Sequence, residues 1–309
     1  MREACLDQVY ELAKRDPRIV FIGSDLGVGT LRKFREEMPD RFLMEGISEA
    51  HVVGMAAGMA LEGSIVYVNT ISTFITRRCF EQIVVDVCLH NLNVRLIGNG
   101  GGLVYAPLGP THLAIEDISI LRAVPNMTIV AVADADEMRR MMPLTAEHRG
   151  PIYIRLAKGY DPIVTNDELP FRIGKAIPMR AGHEVLLVTT GITLKIAQEA
   201  AARLALEGID AGILHMPTLK PLDTEALLEL AAPARAVVAI EENTIIGGLG
   251  SAVAEVLAEA ALSPTKKFRR IGIPDVFPDR YGSQANLMDY YRINTDEVVA
   301  TVWKLIDRK

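Results

Sequence analysis

Cysteine is scarce in this sequence: three residues, Cys5, Cys79 and Cys88, in 309. An odd and small number excludes a disulfide framework and reads as reduced core thiols in a cytoplasmic protein. No stretch approaches the ~20 uninterrupted apolar residues of a membrane span. The opening MREACLDQVYELAKRD reads as an amphipathic helix and lacks the apolar centre of a signal peptide. Positive charge is not in excess either. With 33 Lys and Arg against 39 Asp and Glu, the net charge is −6, and a chain with scattered basic residues is a poor nucleic-acid binder. Several chemical signatures are also missing. The GNGGG run has no following Lys-Ser/Thr pair, so it is no Walker loop, and no G-x-G-x-x-G follows the first strand. There is no G-x-S-x-G elbow and no Cys/His cluster with metal-ligand spacing.

What is present is apolar: half of the residues are hydrophobic and the mean hydropathy is +0.21. A large core, or an apolar face covered by another subunit, accounts for that. The length suggests about two domains. Short β-rich runs (RIVFIGSD, SIVYVNTIS, VRLIGNGGG, MTIVAVA, PIYIRLA) alternate with helical patterns (EAHVVGMAAGMALEG, TRRCFEQIVVDVCLHN, HLAIEDISILRAV, ADEMRRMMPLTAEH). A second alternating series runs from EVLLVTTG to DEVVATVWKLID. Such alternation predicts an α/β protein whose mainly parallel sheets are covered by helices on both faces. A proline-bearing, aperiodic stretch separates the series. The boundaries expected are a first domain over residues 1–165, a linker over 166–180 and a second domain over 181–309.

Ligands of parallel sheets gather beyond the carboxyl ends of the strands. In the first domain that rule selects Asp25, Arg77, His112 and Lys158, at or just after predicted strand ends. In the second it selects MPTLKPLD and EENTIIGGLG. The amides of GGLG open a helix and suit an anion, although glycines there equally allow close packing. Glu49, at the start of a small-residue helix, is open to two readings as well: an ordinary residue of a helix's first turn or a functional acid. Cys79 lies beside the same motifs, with core thiol as its plain reading.

The motifs GISEAHVVGMAAGMA, STFITRRCFEQI, GPTHLAIEDISILRAVPNM and GPIYIRLAKG, in this order, resemble the pyrimidine-binding domain of transketolases. EVLLVTTGITLKIAQEAA, MPTLKPLD and EENTIIGGLGSAVAEVL resemble the carboxy-terminal domain of the same enzymes. The resemblance covers nearly the whole chain and extends to deoxyxylulose-phosphate synthases and the β subunits of 2-oxo-acid dehydrogenases. It implies the thiamin diphosphate-binding fold and thiamine diphosphate as cofactor. The Gly-Asp-Gly run that holds the diphosphate and its metal in this superfamily does not occur here. The resemblance therefore implies one subunit of a split transketolase, α2β2 with a diphosphate-binding N-terminal subunit that would hold Mg2+ (or Ca2+ or Mn2+). This chain itself would hold no metal and would contact neither nucleic acid nor membrane.

Matched position by position, Glu49 falls where the family places the acid that activates the cofactor's aminopyrimidine. Phe74 and Phe80 fall where aromatics line that ring, and Asp25 and Leu26 lie in a segment near the cofactor. His112 matches a histidine that contacts substrate oxygens and helps move protons. Arg2, Arg77 and Lys158 match positions that meet an anionic substrate end. Two departures bear on the substrate. Lys158 stands for the usual arginine, a point charge for a bidentate fork. Leu108 stands where transketolases place an Asp that reads a substrate hydroxyl. The expected substrate is therefore a sugar phosphate or an unusual relative of one, branched, sulfonated or deoxy. The role of His51 stays open. Arg77 and His51 lean toward a synthase or oxo-acid dehydrogenase β subunit, whereas GPTH and the Phe74–Phe80 spacing favour ketol transfer. A non-catalytic partner subunit is the alternative of another class.

Overall fold

The apolar runs form twelve strands among the residues described by the computed structural model, which are 1–23, 31–157, 161–166 and 168–306. In chain order they are β1 (Ile19–Gly23), β2 (Phe42–Met44), β3 (Ile65–Ile71), β4 (Val94–Asn99), β5 (Thr128–Ala131) and β6 (Ile152–Leu156), then β7 (Ile177–Arg180), β8 (Val185–Thr189), β9 (Ala211–His215), β10 (Thr218–Lys220), β11 (Ala236–Thr244) and β12 (Lys267–Ile273). They build a seven-stranded sheet, β10-β5-β6-β4-β3-β1-β2, and a five-stranded sheet, β12-β11-β8-β9-β7. All pairings are parallel except the edge pairs β10–β5 and β7–β9. The continuous apolar strands follow from burial on both faces. Along β1, Val20 and Ile22 enter one core cluster while Ile19 and Phe21 enter another. The period of two divides the strand between the two helical layers. Helices Arg2–Arg15 and Ala135–Glu147 cover one face; helix Glu49–Leu61 and the Ser72–Cys88 region cover the other.

Two features differ from the sequence reading. The stretch expected as linker, 166–180, contains β7, which pairs antiparallel with β9 and edges the second sheet. Pro170 and Pro178 hid it; Pro178 is tolerated because an edge strand needs hydrogen bonds on one side only. The second sequence half in turn donates β10 to the first sheet, where Thr218 pairs with Val130. The domains are thus laced together. Leu186, Val188 and Leu214 of the second sheet, and Met216 just after it, share a core cluster with Val68 and Leu96 of the first. At this seam His215 Nε2 lies 3.1 Å from Glu137 Oε2, both side chains fully buried.

The run TRRCFEQIVVDVCLHN, expected as one helix, is broken. A short helix Ser72–Thr76 ends at Arg77, and helical turns resume at Phe80 and widen to a π-helix over Ile83–Cys88. The Leu89 N–H reaches back five residues to the Val84 carbonyl. One extra residue per turn re-aims the side chains before it, a device frequent near functional sites. Among the described residues no helix is long and apolar enough to cross a membrane.

Candidate functional site

Strands β2, β3 and β4 of the first sheet, with β1 between β2 and β3, bring the predicted polar residues together at their carboxyl ends. Beyond β2 the chain turns at Gly46, and Ser48, whose hydroxyl donates to the Glu45 carbonyl at 2.9 Å, precedes helix Glu49–Leu61. Glu49 is the first residue of that helix and is only 3% exposed. Helix starts favour a carboxylate, through their unpaired amides and dipole. Beyond β3, Phe74 rides on the short helix Ser72–Thr76. Beyond β4, the chain runs through Gly100, Gly101 and Gly102 into a loop that carries His112.

The contacts tie these pieces into one cluster. Arg78 Nη1 donates to Glu49 Oε2 at 2.5 Å, and the same guanidinium lies 4.4 Å over the Phe74 ring. The ring's edge meets the His112 imidazole, with centroids 5.2 Å apart. Thr111 Oγ1 is 2.9 Å from His112 Nδ1. Arg77 Nη2 donates to the Thr111 carbonyl at 3.1 Å, and its Nε pairs with Glu116 Oε1 at 3.1 Å. Burial raises the Glu116 pKa, which Arg77 partly opposes. Arg77 and Glu116 border a cleft of about 560 Å³ between the domains, walled by Ile115, Thr244, Ile246 and Phe277.

Of the residues predicted from sequence, Glu49, Phe74, Arg77 and His112 meet here. Phe80 does not stack with Phe74; it packs against the apolar core of the first domain. Arg2 opens the first helix, half-buried, and no recorded contact joins it to this cluster. Leu108 is exposed on the His112 loop, and His51 is exposed on the Glu49 helix. Asp25, Leu26 and Lys158 lie outside the described residues. Arg78 was missed: the sequence shows two adjacent arginines, and only the break after Thr76 turns the second one back onto Glu49. Cys79 is a core thiol whose pKa burial pushes up to about 12. The GGLG amides already hold a carboxyl group of this chain. Leu249 N–H and Gly250 N–H donate to Glu241 at 2.7 and 2.8 Å.

The cluster offers a buried carboxylate at the edge of an aromatic face, with a flat cationic donor spanning the two. That combination fits an aminopyrimidine: a planar ring that lies on Phe74 and takes a hydrogen bond from or gives one to Glu49 satisfies the same surfaces as the Arg78 guanidinium. Among the described residues no group of three or more His, Cys, Asp or Glu is arranged to hold a metal.

Comparisons with known proteins match the chain to a family. The pyrimidine binding domain of transketolase matches residues 1–160 and the transketolase C-terminal domain matches residues 174–298. The chain is 35% identical to the 6-deoxy-6-sulfo-D-fructose transketolase subunit SqwH of Clostridium sp. (strain MSTE9), over 100% of this chain and 95% of that protein. It is 33% identical to an apulose-4-phosphate transketolase subunit of Phocaeicola vulgatus, over 99% and 97%. Among solved structures it is similar to a split gene transketolase in an inactive beta4 tetramer, with 37% identity and a TM-score of 0.90 over 99% of this chain and 98% of that one.

Proposed function

Because the chain belongs to the transketolase family through both its pyrimidine-binding and its C-terminal domain, we propose that it is the subunit of a thiamine-diphosphate-dependent split transketolase that supplies the activating acid, Glu49. The assembly would be α2β2, with a second polypeptide holding the diphosphate and its Mg2+ (or Ca2+ or Mn2+). The reaction is transfer of a two-carbon ketol unit from a ketose to an aldose. The observation that carries this reading is Glu49, 3% exposed, aimed at a guanidinium that lies flat on Phe74.

When bound, the cofactor supplies a stabilised carbon nucleophile, which amino-acid side chains lack. The protein's part is to hold and protonate. Glu49 would share a proton with the pyrimidine ring, which requires Arg78 to leave that carboxylate. Phe74 would form one wall for the ring, with Phe80 supporting the segment from the core. Asp25 and Leu26 would lie near the cofactor. His112, edge-on to Phe74, would bond substrate oxygens and move a proton at them. Arg77, Arg2 and Lys158 would meet the anionic end of the substrate. Leu108 in place of an acid, and Lys158 in place of a fork, favour a sugar outside the ordinary pentose phosphates. The relatives named for 6-deoxy-6-sulfo-D-fructose and apulose-4-phosphate support a deoxy, sulfonated or branched sugar.

The test is reconstitution with the diphosphate-binding subunit and a panel of ketose donors. The pair is expected to turn over one of them, and the chain alone to bind thiamine diphosphate weakly by calorimetry with Mg2+. Sub-micromolar binding by the chain alone, or an inert pair across the panel, overturns the reading.

A further inference from the structure

The segment from Gly100 to Glu116 belongs to the first domain in sequence and to the second in packing. Its Leu103, Ala106, Leu113 and Ile115 enter the apolar core of the second domain, beside Leu187, Ile240 and Leu287. A narrow stem closes it: Gly102 N–H donates to the Ala114 carbonyl at 2.8 Å and Ala114 N–H returns to the Gly102 carbonyl at 3.1 Å. The loop that this stem closes carries His112 next to the stem, two residues before Ala114.

Both sides of the stem are held by the end of β11. Leu103 N–H donates to Glu242 Oε1 at 2.8 Å, and Gln284 Nε2 donates to the same oxygen at 2.8 Å. Thr244 N–H donates to the Ile115 carbonyl at 2.7 Å. Arg155 Nη2 bonds the Ala114 carbonyl at 3.1 Å and the Glu242 carbonyl at 2.9 Å, and so ties stem to strand. The fit is close. Gly102 has φ +68°, and a Cβ there would stand 2.5 Å from the Glu242 carboxyl carbon. Only glycine satisfies both the left-handed backbone and the contact.

We propose that Glu242 is a positioning residue of the active site: through the Leu103 amide it fixes the stem, and the stem fixes where the loop presents His112. The proposal rests on the reading above that His112 meets substrate. A buried amide must find an acceptor, and among the described residues the acceptor for Leu103 is Glu242 of the second domain. Oxygen is needed, not charge. Burial pushes the Glu242 pKa up to about 7 against the opposing pull of Arg155, Gln284 and the Leu103 amide, with Asp161 adding to the rise. A protonated carboxyl keeps a carbonyl oxygen that still accepts, more weakly than a carboxylate does. Glutamine therefore preserves the latch and leucine, of similar size, removes it.

The experiment compares Glu242→Gln and Glu242→Leu in the full chain by hydrogen exchange and in the reconstituted pair by kinetics. In the Leu variant, amide exchange over residues 101–115 is expected to quicken at least tenfold, while helix Glu49–Leu61 keeps its protection. The His112 ring proton resonances, shifted by the edge of Phe74, should move toward the free imidazole position. The Gln variant should match wild type in both. In the pair, the Leu variant should lose about tenfold in turnover, and the same change in a His112→Ala background should lose far less, because the effect passes through His112. Unchanged exchange over 101–115, equal damage in both variants, or quickened exchange throughout the molecule overturns the proposal. Exchange and resonance need no substrate, so a wild-type pair inert toward every ketose sinks the functional reading alone.

Discussion

The two sheets end in opposite ways. The carboxyl ends of β2, β3 and β4 open into side chains whose polar tips reach toward solvent: Arg77, Arg78 and His112 are exposed or half-exposed. The carboxyl end of β11 carries two carboxylates, Glu241 and Glu242, fully or almost fully buried. Glu241 caps the helix after its own strand, and Glu242 reaches across the domain seam. Similar topology and a similar supply of acids thus serve two ends. In one domain polar groups remain available for a ligand. In the other Glu241 and Glu242 accept from the protein's own amides, which converts chemistry into rigidity. Parallel α/β architecture allows for a site at a strand end, but the immediate partners of each side chain decide whether one forms.

The sharpest way to break this contrast is to disable the one acid assigned to chemistry. Glu49→Gln keeps size and hydrogen bonding but cannot shuttle a proton. Turnover of the reconstituted pair is expected to fall by about 10²–10⁴, with thermal unfolding close to wild type. Wild-type turnover in this variant would make Glu49 another helix-start residue. Next in size is a buried ion pair that holds without reacting. Arg155 Nε meets Asp117 Oδ2 at 2.8 Å, and Tyr153 OH donates to the same oxygen at 2.6 Å. Arg155→Leu strands Asp117, which is 0% exposed, and breaking one side of such a pair costs about 3–5 kcal/mol. Urea unfolding of the chain alone measures it. A loss below about 1 kcal/mol would mean that Asp117 is satisfied without Arg155.

Much of this was legible in the sequence, for identifiable reasons. The central strands of both sheets, such as β1, β3, β8 and β9, are buried and mostly apolar runs, which are the strongest local signal. Arg77 and His112 were nameable from their places at strand ends, and Glu49 and Phe74 from the resemblance to transketolases. What escaped depends on partners distant in sequence. The short strand β10 looks like a loop until β5 is beside it, and β7 carries a proline that reads as linker. Arg78 gains meaning only from the break in its helix. Glu242 sits in an unremarkable EEN run, 139 residues from the amide it holds, and no local pattern announces such a pair.

A smaller effect separates the two kinds of acid by pH. Burial pushes Glu241 and Glu242 each from 4.5 up to about 7. A raised folded-state pKa means that the neutral form favours folding. The contribution is complete below pH 4.5 and is lost as pH rises through 7. Each group's share, at about 1.4 kcal/mol per tenfold in proton affinity, is roughly 3 kcal/mol. Glu242→Gln cannot ionise. Its stability relative to wild type should therefore rise between about pH 5 and about pH 8, and denaturant midpoints at the two values measure the difference. A Gln variant that tracks wild type across this range would mean that Glu242 is ionised at an ordinary pH.

The smallest effect expected belongs to Arg77, although it stands in the site with a full charge. Its guanidinium is already engaged: Nε pairs with Glu116 and Nη2 bonds the Thr111 carbonyl, both at 3.1 Å. The Arg77–Glu116 pair carries no net charge, so an anionic substrate end arriving beside it meets a dipole more than a cation. The side chain is about a third exposed, where water screens what attraction remains. Arg77→Met should then raise KM by no more than about tenfold and leave turnover nearly unchanged, the signature of binding lost equally in ground and transition states. Removing Glu116 instead frees the guanidinium, so Glu116→Gln should lower KM for an anionic donor, and added salt should erase the gain. Steady-state kinetics of the reconstituted pair at two ionic strengths reads all three. A Glu116→Gln variant that binds the anionic donor more weakly would show the carboxylate, and not the arginine, to be the group that meets the substrate.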